Sequence, residues 1–267
     1  MTKPKNHFLY SYVGNKKDES ADIIEAINFD KIENIIEPFC GSGALSYNIW
    51  LKYGDKFKYH LNDYDENLIN IYKFLKENDA DYIENEINKI KEQVQIKDDW
   101  IKKVNEYKEN KESKETKNIL LYIFIVKYSA MGRFGFWRLK MPISKFKITE
   151  EQKNFIKFIK EPYVEITNND WMDVFDKFKN DNKAIIIFDP PYMFSENGFY
   201  LSKKSVNNVY EYFYKNTLKL KSHIYFILEN VWINEAIFKN LKNIKTYKKM
   251  YELSKKNTEH IIYYNKS

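Results

Sequence analysis

The sequence contains one cysteine, Cys40, and that scarcity removes two chemistries: an intrachain disulfide and a zinc site built from a cysteine cluster. A reducing compartment is the default for such a chain. Long apolar runs are also missing. The longest, Ile119 to Val126, falls short of the roughly 20 residues that a bilayer span requires, and no signal-like N-terminus precedes it. A cytoplasmic protein without a membrane partner is therefore expected. Neither an internal repeat nor a low-complexity linker interrupts the 267 residues, which can form one large domain or a core with a sizeable insertion. The excess of one sign of charge is small as well: 44 Lys and Arg face 38 Asp and Glu, and the net +6 is scattered along the chain. Such a balance is compatible with a polyanionic partner, but a solvated lysine-rich face gives the same sum. With 43% hydrophobic, 17% aromatic and 31% charged residues, the composition is that of a globular protein.

What is present is organised around Ile185-Ile186-Ile187-Phe188-Asp189-Pro190-Pro191-Tyr192. A short apolar run ending at an acid and two prolines reads as a buried strand feeding a stiff loop, because proline cannot donate to a sheet ladder and fixes its own φ. Asp189 offers carboxylate acceptors, the Pro190 carbonyl is a further acceptor, and Tyr192 supplies a π-face. Two acceptors and a stacking platform suit a planar base carrying an NH2 group. The alternative is an ordinary proline-stiffened turn.

Near the start, Phe8 to Val13 form an aromatic segment running into Gly14-Asn15, with Lys16 just past the turn and helical spacing from Ser20 to Ile27. A lysine in that position is ordinarily a solvated charge. Ile35 to Leu45 then read as a strand, a Gly41-Ser42-Gly43 turn and a helix carrying Leu45, Ile49 and Trp50. Glycines there let backbone approach a ligand, and the helix N-terminus favours a carboxylate or phosphate. The third glycine of the dinucleotide fingerprint is absent, Ser46 standing in its place. Cys40 has no neighbour to activate a thiolate and reads as a small packing residue. A second strand over 58–61 ends at Asn62-Asp63-Tyr64-Asp65; an acid about 20 residues beyond a Gly-rich turn is where nucleotide-binding α/β folds grip ribose hydroxyls, and Asp63 fits that role. The same polar group also reads as the cap of a helix over 68–75, with Asp65 as the cap.

From Glu77 to about Lys117 the spacing of Ile83, Ile87, Ile90, Val94, Trp100 and Val104 predicts amphipathic helices with solvated faces, broken near Lys97-Asp98 and in the charge run 108–117. This composition shift marks an insertion. A buried helix over 119–128 leads into a loop that interleaves Arg133, Arg138 and Lys140 with Phe134, Phe136 and Trp137 around two glycines. Basic groups neutralise phosphates while aromatics stack, so the loop is a candidate nucleic-acid contact; a buried aromatic loop is the competing reading. Residues 163–166 read as a strand ending in Thr167-Asn168-Asn169-Asp170-Trp171. The segment 193–215 shows no clear period at first and reads as a substrate loop. A strand over 224–228, a helix over 234–241 and an antiparallel hairpin of two edge strands, 246–253 and 259–264, close the pattern.

Tyr12-Val13-Gly14-Asn15-Lys16, Glu37-Pro38-Phe39-Cys40-Gly41-Ser42-Gly43, Asn62-Asp63 with Leu68-Ile69, and Asp189-Pro190-Pro191-Tyr192, in this order, resemble the D12 class, or Dam-like alpha-group, of N6-adenine-specific DNA methyltransferases. The resemblance covers most of the chain in outline and is close only at these motifs. It implies an α/β, Rossmann-like S-adenosylmethionine-dependent methyltransferase fold. Residues 1–76 and 155–267 would form the catalytic domain, and 77–154 an inserted, mostly helical target-recognition region. It also implies S-adenosylmethionine contacts from Tyr12, Lys16, Phe39, Gly41, Gly43, Asp63 and Asp170, with Asp189 between cofactor and target base. Asp189, Pro190 and Tyr192 would carry catalysis, without a metal. Arg133, Phe134, Trp137, Arg138 and Lys140 would meet duplex DNA. Asn15 departs from the family's usual glycine, and the family's Asn-Arg-x-Gly-Phe-Asn-Gly pattern is only echoed over Gly132 to Trp137. A monomer is expected, with a separate restriction endonuclease as a candidate partner. Two other readings stand beside this one: an RNA methyltransferase acting on an exocyclic amine, against which the long insertion argues, and a DNA-binding protein on a silent methyltransferase scaffold.

Overall fold

A computed structural model describes residues 6–129, 134–136, 143–192, 203–215, 220–251 and 256–265. The chain divides into two compact units, one formed by residues 16–65 and 163–267 and the other by residues 1–15 and 66–162.

The first unit is built on a seven-stranded sheet. Its strands are β1 (Asn34–Glu37), β2 (Lys58–Asn62), β3 (Val164–Thr167), β4 (Ala184–Phe188), β5 (His223–Glu229), β6 (Lys242–Tyr251) and β7 (Lys256–Tyr264), in the spatial order β3-β2-β1-β4-β5-β7-β6. The first five are parallel to one another, whereas β7 runs antiparallel to both β5 and β6. Every residue of β4 is buried, as an apolar run without alternation requires of a central parallel strand covered on both faces. On one face Phe188 stacks on Phe226 at 5.1 Å, and Phe213, Trp171 and Phe175 extend that aromatic layer. The helices of this unit are α1 (Ser20–Ala26), α2 (Ala44–Tyr53), α8 (Trp171–Phe178), α9 (Lys203–Lys215) and α10 (Trp232–Ile237).

The second unit packs α3 (Glu66–Glu77), α4 (Ala80–Glu92), α5 (Lys97–Glu109), α6 (Thr116–Tyr128) and α7 (Glu150–Lys160) with the N-terminal segment. Helix α6 is buried nearly all round, as its apolar text requires. Helix α7 starts with a capping box in which the Thr149 N–H donates to Gln152 Oε1 at 2.9 Å and the Gln152 N–H to Thr149 Oγ1 at 3.3 Å. The same Gln152 side chain donates to the Phe8 carbonyl at 2.7 Å and so ties the N-terminal segment down. Buried Asn88 does likewise for 143–148, donating to the Phe146 carbonyl and accepting the Phe146 N–H. Among the described residues no helix is long and apolar enough to cross a membrane.

Three sequence expectations are corrected. Strand β7 is interior, lying between β5 and β6, so only β6 is an edge of the closing hairpin. Within the segment 193–215, residues 203–215 form α9, whose apolar residues Val209, Tyr210 and Phe213 are buried. The helix expected over 234–241 is shorter and earlier, because the Asn234 amide donates to the Glu229 carbonyl and the chain turns at Phe238 to enter β6.

Candidate active site

In the spatial order of the sheet, the chain moves outward from β1 to β2 and β3, then returns to β4 and proceeds the other way. The crevice beyond the C-terminal ends of β1 and β4 is thus the topological switch point, where open α/β sheets bind ligands. Both sequence motifs arrive there.

After β1, the Gly43 N–H donates to the Cys40 carbonyl at 2.8 Å, closing a tight turn before α2. Gly41 and Gly43 have φ of 50° and 67°, left-handed values that a side chain rarely tolerates. Beneath the turn, buried Glu37 accepts from the Ser46 N–H at 2.9 Å and from the Ser46 hydroxyl, anchoring the first turn of α2. Burial pushes the Glu37 carboxyl up to about 7 against the pull of those bonds. Because its folded pKa exceeds the ordinary 4.5, the unfolded chain releases this proton first; Glu37's contribution is complete below about pH 4.5 and is lost as pH rises through about 7. Glu37→Gln should flatten the stability profile across that window, which denaturant melts at pH 4.5 and 8 would register as a smaller difference than in the unaltered protein.

At the end of β2, Asn62 fastens neighbouring strand ends together. Its amide donates to the carbonyls of Pro38 and Asn169, both at 3.0 Å, while its oxygen accepts from Thr167 Oγ1 at 2.8 Å and the Asn169 N–H at 2.9 Å. Asp63 follows, with Oδ2 accepting the Gly41 N–H at 2.9 Å and Oδ1 the Asp65 N–H at 3.0 Å. Burial raises its carboxyl to about 6; a carboxylate, with about four lone-pair sites, can accept from vicinal hydroxyls beside these two bonds. This acceptor set fits a ribose-bearing cofactor. Phe39 lies half-buried against Trp171 and Phe188, with ring centroids 6.4 and 6.2 Å away. Asp170 caps α8, its carboxylate accepting the Met172 N–H at 2.9 Å.

At the end of β4, Asp189 Oδ2 pairs with Lys16 Nζ at 2.5 Å, and the same ammonium lies 5.3 Å from the centroid of the Tyr192 ring. Lys16 is only 5% exposed, so it is not the solvated charge that a lysine beside a turn ordinarily is. Burial alone would drive its proton off, but Asp189 and Glu19 reverse the balance and hold it firmly charged. Asp189 moves upward through burial, opposed by Lys16. The Tyr192 hydroxyl is 3.4 Å from Asp189 Oδ1 and 3.2 Å from His260 Nδ1. Sequence reasoning missed Glu19, Tyr247, Lys249 and His260, which complete this buried cluster. The available signal was polar Tyr247 and Lys249 at the alternating spacing of one strand face.

Tyr12 belongs to the helical unit, where its carbonyl accepts the Asn15 N–H at 3.3 Å in a turn carrying Gly14 at φ 82°. Phe134, in the same unit, is half-buried, stacked on Tyr122 at 5.6 Å and tilted against Tyr107 at 4.9 Å. The neighbouring Gly135 carbonyl accepts from Trp100 Nε1 at 3.3 Å, and Phe136 is 59% exposed. Arg133, Trp137, Arg138 and Lys140 lie outside the described residues.

A five-stranded parallel sheet extended by a β7 reversed between β5 and β6, with a glycine turn and an acid at the switch point, defines a Rossmann-like methyltransferase. The D12 class N6 adenine-specific DNA methyltransferase family matches residues 12–263, and the chain belongs to that family. It is accordingly a DNA adenine methyltransferase, of a kind that generally uses S-adenosylmethionine. No curated protein matches the sequence.

Proposed function

We propose that this enzyme methylates N6 of adenine within a specific duplex DNA sequence, using S-adenosylmethionine and receiving the target base flipped into the Asp189-Pro190-Pro191-Tyr192 pocket. The observation that carries the reading is the meeting of the glycine turn, Asp63 and the Lys16–Asp189 pair in the crevice beyond β1 and β4. When bound, the cofactor supplies an electrophilic methyl group. Asp63 would hold the ribose hydroxyls, Gly41, Gly43 and Phe39 would shape the pocket, and Tyr12, Lys16 and Asp170 would contribute further contacts.

The difficulty of the reaction lies in the nucleophile, because the adenine ring delocalises the N6 lone pair. Acceptors at Asp189 and at the Pro190 carbonyl would take the two N6 protons and favour a pyramidal nitrogen with its lone pair directed at the methyl group. Lys16 engages Asp189 Oδ2, which leaves Oδ1 as the natural acceptor for the amine. Stacking on Tyr192 would repay part of the few kcal/mol spent in unstacking and unpairing the base. Residues 77–154 would form the target-recognition region, with Arg133, Phe134, Trp137, Arg138 and Lys140 at the DNA. A monomer in the cytoplasm, with or without a companion endonuclease, completes the reading.

Two titrations test it. S-adenosylmethionine should bind with a calorimetric signal that Asp63→Ala weakens, and a duplex carrying 2-aminopurine at the target should brighten on binding. Tyr192→Ala should weaken base capture by about tenfold, the worth of a stacked base, while cofactor affinity changes little. Equal weakening of both ligands would assign Tyr192 to the fold rather than to the base.

A further inference from the structure

The Asp189 loop rests on a buried polar cluster that the reaction outlined above does not use. Glu19, immediately before α1, is 4% exposed; its Oε1 pairs with Lys249 Nζ at 2.5 Å, its Oε2 accepts from the Tyr247 hydroxyl at 2.9 Å, and Oε2 lies 3.8 Å from His260 Nδ1. His260 is fully buried. Strand register sets it opposite Tyr247 of β6 and Glu229 of β5, so these side chains share one face of the sheet. Its ring meets Tyr192 edge to face at 5.3 Å, with Nδ1 3.2 Å from the phenolic oxygen.

A phenol has one proton, and two acceptors lie near that of Tyr192: His260 Nδ1 at 3.2 Å and Asp189 Oδ1 at 3.4 Å. The shorter contact is to the histidine, which can accept in the neutral tautomer that carries its proton on Nε2. Its surroundings keep the ring neutral. Burial dominates, Lys249 and Lys16 add to it, and Glu19 opposes it, leaving the imidazole at about 4. A hydroxyl turned toward His260 fixes the ring plane of Tyr192 and leaves Asp189 Oδ1 to the incoming amine.

We propose that His260, packed against the Tyr247 ring, is a positioning residue for base capture: with its proton on Nε2, its Nδ1 accepts the Tyr192 hydroxyl proton in a hydrogen bond, orients the stacking ring and keeps that hydroxyl off the Asp189 acceptor. The inference rests on the methyltransferase reading and extends it to a residue outside the loop motif.

The test is a double-mutant cycle on methyl transfer to duplex DNA, with His260→Phe and Tyr192→Phe made singly and together, cofactor affinity measured alongside, and folding checked by thermal melting. His260→Phe should lower kcat/KM for DNA by about five- to tenfold, the worth of one neutral hydrogen bond, while cofactor affinity changes by less than about twofold. In the Tyr192→Phe background the same replacement should cost less than about twofold more. His260→Gln, whose amide oxygen can accept, should recover most of the loss. If the phenylalanine variant does not fold, His260→Leu takes its place in the cycle. Losses that multiply independently, or no loss from His260→Phe, would overturn the inference while leaving the methyltransferase reading intact. A lack of transfer by the unaltered protein would instead remove that reading, and this inference with it.

Discussion

Asp189→Ala is expected to reduce methyl transfer by at least about a hundredfold, the scale associated with losing a preorganised polar group at the reacting centre. In the proposed mechanism Asp189 Oδ1 and the Pro190 carbonyl would accept the two N6 protons, and with one gone the amine would no longer be held pyramidal. The same substitution strands a buried ammonium. Lys16 is 5% exposed and pairs with Asp189 at 2.5 Å, so alanine leaves it to Glu19 alone. Breaking a buried pair from one side costs about 3–5 kcal/mol, and the shared neighbour Glu19 should hold the loss to the low end of that range. Single-turnover transfer and denaturant melting separate the two effects. Adding Lys16→Met to Asp189→Ala should recover stability without recovering transfer; recovery of both, or turnover near normal in Asp189→Ala, would remove Asp189 from the chemistry.

Lys16→Met alone should be the more damaging to the pH profile. Its removal leaves the Asp189 and Glu19 carboxylates buried with one less cation, and Lys249 alone to balance them. Asp189 already sits above the ordinary carboxylate range because burial outweighs Lys16; without that ammonium it rises further. In the proposed mechanism the acceptor is the ionised form, so activity should be lost as pH falls through the folded pKa, and the acid limb of the rate profile should move to higher pH in the variant. Stability runs the opposite way. A carboxyl raised above its unfolded value contributes fully below that value and loses its contribution as pH rises through the folded one, so the variant should lose stability more steeply on going from acid to neutral pH. Rates and melts between pH 5 and 8 check both signs. An unmoved acid limb would mean that Lys16 does not set the charge state of Asp189.

The parts of the fold that were legible are those in which local text and tertiary role coincide. Strand β4 is an apolar run ended by prolines, and a central parallel strand needs nothing more. The glycine turn and Asp63 were legible because their spacing is itself the geometry, now seen as the Gly41–Asp63 hydrogen bond. Helix α7 was overlooked although Thr149 and Gln152 form a capping box at its start. The interior place of β7 was illegible, since strand order depends on partners far along the chain and the text 259–264 suits an edge or an interior strand equally. The pairing of Lys16 was illegible for the same reason: its counter-ion stands 173 positions away, and exposure tendencies describe an unpaired lysine. The cluster of Glu19, Tyr247, Lys249 and His260 likewise assembles groups from both ends of the chain around one tyrosine, which only the folded sheet brings together.

The central claim is methyl transfer to adenine N6 in DNA, and the most direct test supplies labelled S-adenosylmethionine with unmethylated duplex DNA and, separately, ribosomal RNA, followed by nucleoside analysis. The account predicts label in N6-methyladenine from DNA, absent when Asp189→Ala replaces the unaltered protein. Label in RNA guanine, or tight cofactor binding with no transfer to unmethylated DNA of varied sequence, would contradict it.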